Sequence, residues 1–258
     1  MKHSRFTVFI HSFAGIMLLA LLTPAAFAQG ASAANALGQL SMALSGGHAV
    51  QSVQLSGNAT WHVGSQEDSG SVTLTASSNG SSQMQLSLAS AGQRTESQIG
   101  SGSGASCQWA GNDGVAHAIQ SGACWRPTLW FLPAFSLQPS LLPANLTVAD
   151  LGTGTVGASA TPYRHLQSRW TVTGAPASLT ADVARWSKTD IGLNPTSLLP
   201  AVLAYSVRPD NGAPLAIAVE AHYSDYHDVN GVQIPFTIQR YVNGSLQLQI
   251  SVRTAQVN

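Results

Sequence analysis

Four residues that could support acid–base chemistry or metal binding lie close together near the C-terminal end of the chain. They are His222, Asp225, His227 and Asp228. Successive side chains of a strand point to opposite faces, so His222 and His227, an odd number of positions apart, would lie on opposite faces. Asp225 and His227 would share a face, but no partner nucleophile is evident. The pattern favours polar residues at a strand end and turn over a catalytic or metal site.

Other patterns that could indicate chemistry are no stronger. The Gly/Ser stretch from Gly100 to Gly104 has glycine where a nucleophile elbow has its serine. The segment from Asp190 to Pro195 offers too few oxygen ligands for calcium. Cys107 and Cys124 are the two cysteines, and no second thiol pair or nearby pair of histidines completes a zinc site. We therefore predict no catalytic residue, no metal site and no cofactor.

The first 28 residues have the pattern of a secretory signal peptide. Two basic residues precede the apolar stretch from Ile16 to Leu22, and Ala26-Phe27-Ala28 matches a small-x-small cleavage site. Cleavage after Ala28 would leave residues 29–258 as a single periplasmic or secreted domain. In that oxidising compartment we expect a disulfide between Cys107 and Cys124.

Composition limits the classes of partner. Charged residues make up 9% of the chain, and nine basic and eleven acidic residues, a net charge of −2, would remain after removal of the signal peptide. No basic patch is present, which argues against a nucleic-acid partner. No segment after residue 28 is apolar for long enough to span a membrane.

Alternation of apolar and polar residues predicts about ten or eleven antiparallel strands. At the C-terminal end, Asn230-Gly231 and Asn243-Gly244 separate three alternating segments within Leu215 to Thr254. A second meander of four strands is expected between Val53 and Ile99. Further strands are expected at 109–117 (a small hairpin), 146–151, 155–173, 185–193 and 198–207. A long meander must curl to bury its apolar face, so we predict a mainly β protein, a strongly bent antiparallel sheet or incomplete barrel.

Two helical pieces are expected to cover this sheet. Ser32 to Ser45 has an apolar stripe at helical spacing and is followed by Gly46-Gly47, which should end the helix. A short second helix is expected from Pro127 to Leu132, within an aromatic and proline-rich segment from Cys124 to Pro143. That segment would either plug the mouth of the curled sheet or form the wall of a ligand cavity.

Short motifs follow one another along the chain in a familiar order. They are the N-terminal Leu-spaced helix, Val53–Gly57, Lys188–Pro195, Leu199-Pro200 with Tyr205, Tyr223–Tyr226 and Val229–Phe236. The most specific is Asp225-x5-Gly231-x3-Pro235. Together they resemble the LolA-like superfamily of periplasmic lipoprotein carriers and related envelope-stress sensor domains. The resemblance implies an incomplete antiparallel barrel with helices across its open side and an apolar concavity for acyl chains or a hydrophobic partner.

Apolar residues on the predicted inner and covering faces form the candidate site. We expect them to bind a lipid acyl chain, a lipoprotein acyl chain or another hydrophobic ligand. They are Trp61, Met84, Leu86, Trp130, Phe131, Phe135 and Tyr223. Two other functions stay open: an envelope protein-interaction or sensor domain whose concavity is filled by its own side chains, and a secreted hydrolase, which would need a convergent acid–base or nucleophile cluster.

Overall fold

The computed structural model describes residues 25–100, 105–119, 133, 137, 144–208 and 215–258. In these ranges thirteen strands and two helices, α1 (Ala25–Ser45) and α2 (Ala177–Trp186), are found. The strands are β1 (Ser52–Val63), β2 (Gln66–Ser77), β3 (Ser82–Leu88), β4 (Gly92–Ile99), β5 (Ser106–Ala110), β6 (Ala116–Ile119), β7 (Leu146–Gly154), β8 (Tyr163–Trp170), β9 (Thr189–Leu193), β10 (Pro200–Val207), β11 (Ile217–Val229), β12 (Val232–Val242) and β13 (Ser245–Val257).

All thirteen strands belong to one antiparallel sheet. Its strand order is β6-β5-β4-β3-β2-β1-β13-β12-β11-β10-β9-β8-β7, so the last strand pairs with the first and joins two meanders. A single core cluster contains residues of β2 and β3 from one half and of β8 and β9 from the other. The sheet therefore curves around this core without closing. The prediction of a mainly β, open antiparallel sheet is confirmed, with thirteen strands instead of ten or eleven.

Helix α1 packs its predicted stripe onto this sheet. All five stripe residues are buried: Ala33, Ala36, Leu37, Leu40 and Leu44. The helix contacts β7 and β12 and ends at Ser45, where Gly46 and Gly47 have φ of 58° and 80°. It begins at Ala25 and not at Ser32, because the alanine-rich residues before Ser32 also favour helix. Residues 1–24 lie outside the described part, so the signal peptide and its cleavage after Ala28 stay predictions.

Helix α2 corrects the prediction of a strand over residues 185–193. The helix covers Ala177–Trp186, and only Thr189–Leu193 is a strand. Pro176 precedes the first turn, a position where proline is tolerated. The helix ends at Ser187, whose hydroxyl donates to Val183 O and accepts a hydrogen bond from the Trp170 backbone N–H at 2.9 Å. These bonds fix α2 against the end of β8.

The segment from 155 to 173 corrects a second strand prediction, because only Tyr163–Trp170 is a strand. Residues before it cross the outer face of the sheet, where Val156 packs with Val202 and Ala204 in a small second core. The Ala158 backbone N–H donates to Glu220 Oε1 at 2.7 Å and holds this crossing in place. Because the backbone before Tyr163 leaves the sheet, it cannot extend the hydrogen-bond ladder of β8.

Two predictions fall on residues outside the described part of the chain. The short helix from Pro127 to Leu132 is one of them. The other is the disulfide, because Cys107 lies buried on β5 but Cys124 is not described. Both stay predictions.

The turn between β11 and β12 has the geometry that its Asn-Gly sequence predicts. Asn230 and Gly231 have φ of 53° and 80°, as a two-residue type I′ turn requires. The Gly231 backbone N–H donates to Asp228 Oδ1 at 3.0 Å. The turn therefore sets the register in which β11 pairs with β12.

We expect Gly231→Val to destabilise the protein by about 1–3 kcal/mol, because a β-branched residue resists positive φ. Chemical unfolding followed by circular dichroism measures the loss. Gly38→Val, at a helical glycine with open space around it and ordinary φ, provides a comparison. A Gly231→Val protein as stable as the parent would contradict the assigned turn.

Candidate functional site

The concave face of the sheet carries the main apolar core. Four of the predicted site residues lie in or against this one cluster, on β1, β3 and β11. Met84, Leu86 and Tyr223 are 1%, 2% and 6% exposed, whereas Trp61 is half-buried at the margin of the cluster. The structure thus brings these four together. The other three, Trp130, Phe131 and Phe135, lie outside the described residues.

The Tyr223 hydroxyl is a polar group inside this apolar core. It is buried and has no hydrogen-bond partner among the described residues. Burial raises the pKa of Tyr223 well above its usual value of 10.0, and the neighbouring Tyr226 and Tyr205 raise it further. The Tyr226 hydroxyl, by contrast, donates to Pro200 O at 2.8 Å. A buried hydroxyl without a partner is destabilising, so Tyr223 is a candidate polar contact for a bound ligand.

A groove of about 750 Å³ opens at one end of the sheet. It lies between the β1–β2, β3–β4 and β5–β6 turns, and this volume is typical of small-molecule sites. Its apolar lining includes Trp61, Val63 and Leu88. Its polar lining consists of Gln66, Glu67, Asp68, Ser90, Gln93, Arg94 and Asn112. Trp61 therefore connects the groove with the concave core.

Behind Trp61 three charged residues meet on the apolar face. Glu96 accepts hydrogen bonds from Arg94 Nε at 3.0 Å and from Arg240 Nη1 at 3.5 Å. The Glu96 and Arg240 side chains are only 17% and 10% exposed. Arg94 pairs across the sheet with Leu86, and Glu96 with Met84, which places both charges on the face that carries the core. The chain thus holds two cations and one anion in an apolar setting. We call Arg94, Glu96 and Arg240 the charged cluster.

Aromatic rings contact both arginines of the charged cluster. The guanidinium carbons of Arg94 and Arg240 each lie 5.5 Å from the centroid of a Trp61 ring. Arg94 also lies 5.0 Å from Trp109, which stacks on His117 with centroids 4.3 Å apart. Cation–π contacts of this kind hold a guanidinium in one orientation. These contacts therefore favour one position of Arg94 at the wall of the groove.

Comparison with solved structures identifies this architecture. The fold matches a LolA superfamily protein from Nitrosomonas europaea with a TM-score of 0.52 at 10% identity, over 88% of this chain and 93% of that chain. It matches a domain from Vibrio parahaemolyticus assigned to outer membrane lipoprotein sorting with a TM-score of 0.56 at 7% identity, over 89% and 93%. The chain has a LolA-like fold. A DUF1329 family protein from Desulfovibrio piger shares it, with a TM-score of 0.53 at 8% identity, over 89% and 93%. No family model and no curated protein matches the sequence.

Two of the motifs that carry the resemblance lie where strands of the LolA-like sheet turn or begin. Gly231 and Pro235 lie in and after the β11–β12 turn, and Val53–Gly57 lies near the start of β1. In this chain these positions help to set the pairing of β11 with β12 and of β1 with β13. In the described part of this LolA-like chain, no helix is long and apolar enough to cross a membrane.

The four titratable residues near the C-terminus do not converge in the LolA-like sheet. His227 Nε2 lies 3.0 Å from Asp225 Oδ1, so these two residues share a face as their spacing predicted. His222 instead pairs with Glu220 at 2.9 Å, and Asp228 accepts the Gly231 N–H in the turn. Across the described ranges, no group of three or more His, Cys, Asp or Glu is arranged to hold a metal ion.

The charged cluster was missed by the sequence prediction, although one signal for it exists. Along β12 the even-numbered positions Val232, Ile234 and Ile238 are buried, and Arg240 continues this series. A charge at a position where alternation predicts an apolar side chain indicates a buried polar contact. Its partner Glu96 lies 144 residues away, and this pairing has no sequence signature.

The charged cluster should make stability depend on pH. Burial raises the pKa of Glu96, but the charges of Arg240 and Arg94 and their hydrogen bonds outweigh it and hold the pKa below the usual 4.5. The unfolded chain therefore binds a proton on this residue at a higher pH than the folded protein does. This stabilisation is present above the pKa that Glu96 has in the unfolded chain. It disappears as the pH falls through the lower pKa that Glu96 has in the folded protein.

We expect the free energy of unfolding to decrease as pH falls below about 4.5, and we expect Glu96→Gln to flatten part of that decrease. Urea unfolding at a series of pH values between 7 and 3 measures how the free energy of unfolding depends on pH in the parent and in Glu96→Gln. Asp150 and Asp190, whose pKa values are also lowered, account for a residual slope of the same sign. An identical pH dependence in Glu96→Gln and parent would contradict the role of the cluster.

Proposed function

We propose that this protein is a non-catalytic periplasmic or secreted binding protein for a lipid acyl chain, a lipoprotein acyl chain or another hydrophobic ligand. The observation that carries the proposal is the groove at one end of the sheet, whose lining includes Leu88 of the apolar core and Trp61, which packs against that core. Trp61, Val63 and Leu88 offer apolar surface to a hydrocarbon chain, and the polar residues of the lining are placed to contact a polar head group or water. Burial contributes about 0.8 kcal/mol per methylene before ordering costs are subtracted.

Three further features support the proposal. In the described part of the chain, α1 packs onto the main core, and Leu137 of the proline-rich segment is buried in the same core, as a covering wall of the concave face would be. The Tyr223 hydroxyl offers a buried donor. The Vibrio parahaemolyticus domain of the same fold is assigned to outer membrane lipoprotein sorting, and a hydrophobic ligand for this chain would be compatible with that assignment. A cleaved signal peptide and a Cys107–Cys124 disulfide would fit an envelope location.

Binding should depend on the exposed apolar residue Val63 in the groove. We expect Val63→Asp to weaken binding of a fluorescent fatty-acid probe about tenfold, because a buried carboxylate beside the chain must lose water. Titration of the purified, delipidated protein with the probe measures this affinity. Val63 is 62% exposed, so the substitution should leave the fold intact.

Leu179→Asp on α2 is the matched control, because Leu179 is 49% exposed and does not line the groove. It should bind the probe as the parent does. Equal affinities of the parent and of Val63→Asp for the probe would show that the probe does not bind in the groove. Absence of probe binding at micromolar concentrations in the folded parent would overturn the proposal itself.

A second function is favoured by the burial of three predicted site residues. Met84, Leu86 and Tyr223 are already almost fully buried, as expected for an envelope protein-interaction or sensor domain whose core is filled by its own side chains. Such a domain would bind no probe at micromolar concentrations. It would also carry no lipid through gentle purification, which native mass spectrometry followed by lipid extraction measures.

A further inference from the structure

Arg94 presents unused hydrogen-bond donors to the groove. Its Nε donates to Glu96, and its guanidinium lies over Trp61 and Trp109. Its two Nη atoms make no hydrogen bond to any described residue, although the side chain is only 35% exposed. Because Arg94 lines the groove, these four N–H donors are available to a ligand bound there.

The charge of Arg94 is not neutralised by the cluster behind it. Glu96 carries one negative charge, and the nearly buried Arg240 already lies against it at 3.5 Å. The three residues of the charged cluster together carry one excess positive charge. Because Arg240 is 10% exposed and Arg94 is 35% exposed, the solvent-facing part of that charge lies on Arg94.

Two carboxylates also line the groove: Asp68 has backbone donors of its own, and Glu67 lies beside His62. Asp68 accepts hydrogen bonds from the backbone N–H groups of Ser90 and Ala91 at 3.0 Å and 2.6 Å. Glu67 lies 3.4 Å from His62 Nδ1, with 67% of its side chain exposed at the mouth. Arg94 is the single cation in the groove lining, all of which is described. The two carboxylates should lessen its preference for anions without removing it.

We propose that Arg94 binds the anionic head group, a carboxylate or a phosphate, of the acyl ligand, while the hydrocarbon chain lies over Trp61, Val63 and Leu88. This inference rests on the proposed function and adds the ligand class to it. A guanidinium binds either oxyanion through two parallel N–H···O bonds, which are stronger than bonds between neutral groups. The cation–π contacts and the Glu96 bond hold the fork in place before the ligand arrives, so little ordering is lost on binding.

Amphiphiles that differ only at the head group test the inference. Tetradecanoate, tetradecyl phosphate and tetradecanol are compared at pH 7.5, below their aggregation limits, by displacement of an uncharged fluorescent probe. In the parent we expect at least one of the two anions to bind about tenfold more tightly than the alcohol. In Arg94→Gln this preference should be lost, while the affinity for tetradecanol should stay within about twofold of that of the parent. The two anions distinguish a fatty-acid carboxylate from a phospholipid phosphate.

Two variants separate recognition from simple charge. Arg94→Lys keeps the charge without the fork, so it should retain only part of the anion preference. Arg169→Gln removes an exposed arginine of β8 outside the groove and should behave as the parent does. Circular dichroism verifies that each variant is folded.

The outcomes distinguish this inference from the proposed function. Equal affinities of the parent for all three amphiphiles, or an unchanged preference in Arg94→Gln, would overturn head-group recognition and leave acyl-chain binding intact. Failure of the parent to bind any of the three would overturn both.

Discussion

Arg240→Ala is expected to lower the free energy of unfolding by about 3–5 kcal/mol, because it removes one partner of a buried ion pair. Glu96 would keep only the more exposed Arg94. The loss of the long Arg240 side chain also leaves space beside Trp61, over which its guanidinium lies. Guanidinium chloride unfolding followed by far-ultraviolet circular dichroism measures the change, and the slope with denaturant should stay the same.

A control substitution and a double substitution are needed to interpret this result. Arg253→Ala removes an exposed arginine of β13 and should change stability by less than about 0.5 kcal/mol. Replacing both partners, Arg240→Met with Glu96→Leu, should recover much of the loss, since no uncompensated charge stays buried. An Arg240→Ala protein within about 1 kcal/mol of the parent would contradict the view that Arg240 compensates Glu96.

The sheet could be predicted from sequence because its signals are local. β11, β12 and β13 alternate cleanly, and Asn-Gly turns determine how they pair. The pairing of β13 with β1, which joins the two meanders, has no such local signal. The resemblance implied a curved sheet, and the structure supplies the strand order around it.

Helix α2 was missed although Leu179, Val183 and Trp186 follow the i, i+4, i+7 spacing of a helical face. This face is short, and only Val183 and Trp186 of the ten residues are buried. Its position is fixed instead by Ser187, through hydrogen bonds to Val183 and Trp170. Tertiary contacts of this kind override weak local propensity.

The candidate site was only partly predictable for a related reason. Trp61 was identified because it continues the alternation of β1, and it does lie between core and groove. The groove itself is formed by three turns that are separate in sequence. Arg94 and Glu96 lie on β4, a strand whose burial pattern lacks clear alternation. Only their contact with Arg240 shows that they belong to the inner face.

Leu40→Ala is the second change with a large expected effect, a loss of about 2–5 kcal/mol in the free energy of unfolding. Leu40 is 0% exposed and lies in the middle of the α1 stripe, in the main core cluster. Alanine favours helix at least as well as leucine, so the substitution does not weaken the helix itself. The loss therefore measures only the contact between α1 and the concave face, together with the cavity left behind.

Met42→Ala tests the opposite side of the same helix. Met42 is 63% exposed, so its removal should change stability by less than about 0.5 kcal/mol in the same unfolding measurement. A large loss in Leu40→Ala with none in Met42→Ala would show that α1 unfolds together with the sheet. Equal stability of Leu40→Ala and the parent would mean that the contact between α1 and the concave face contributes little to the free energy of unfolding. A face that the helix can leave so easily would be accessible to a hydrocarbon chain along α1 as well as through the groove.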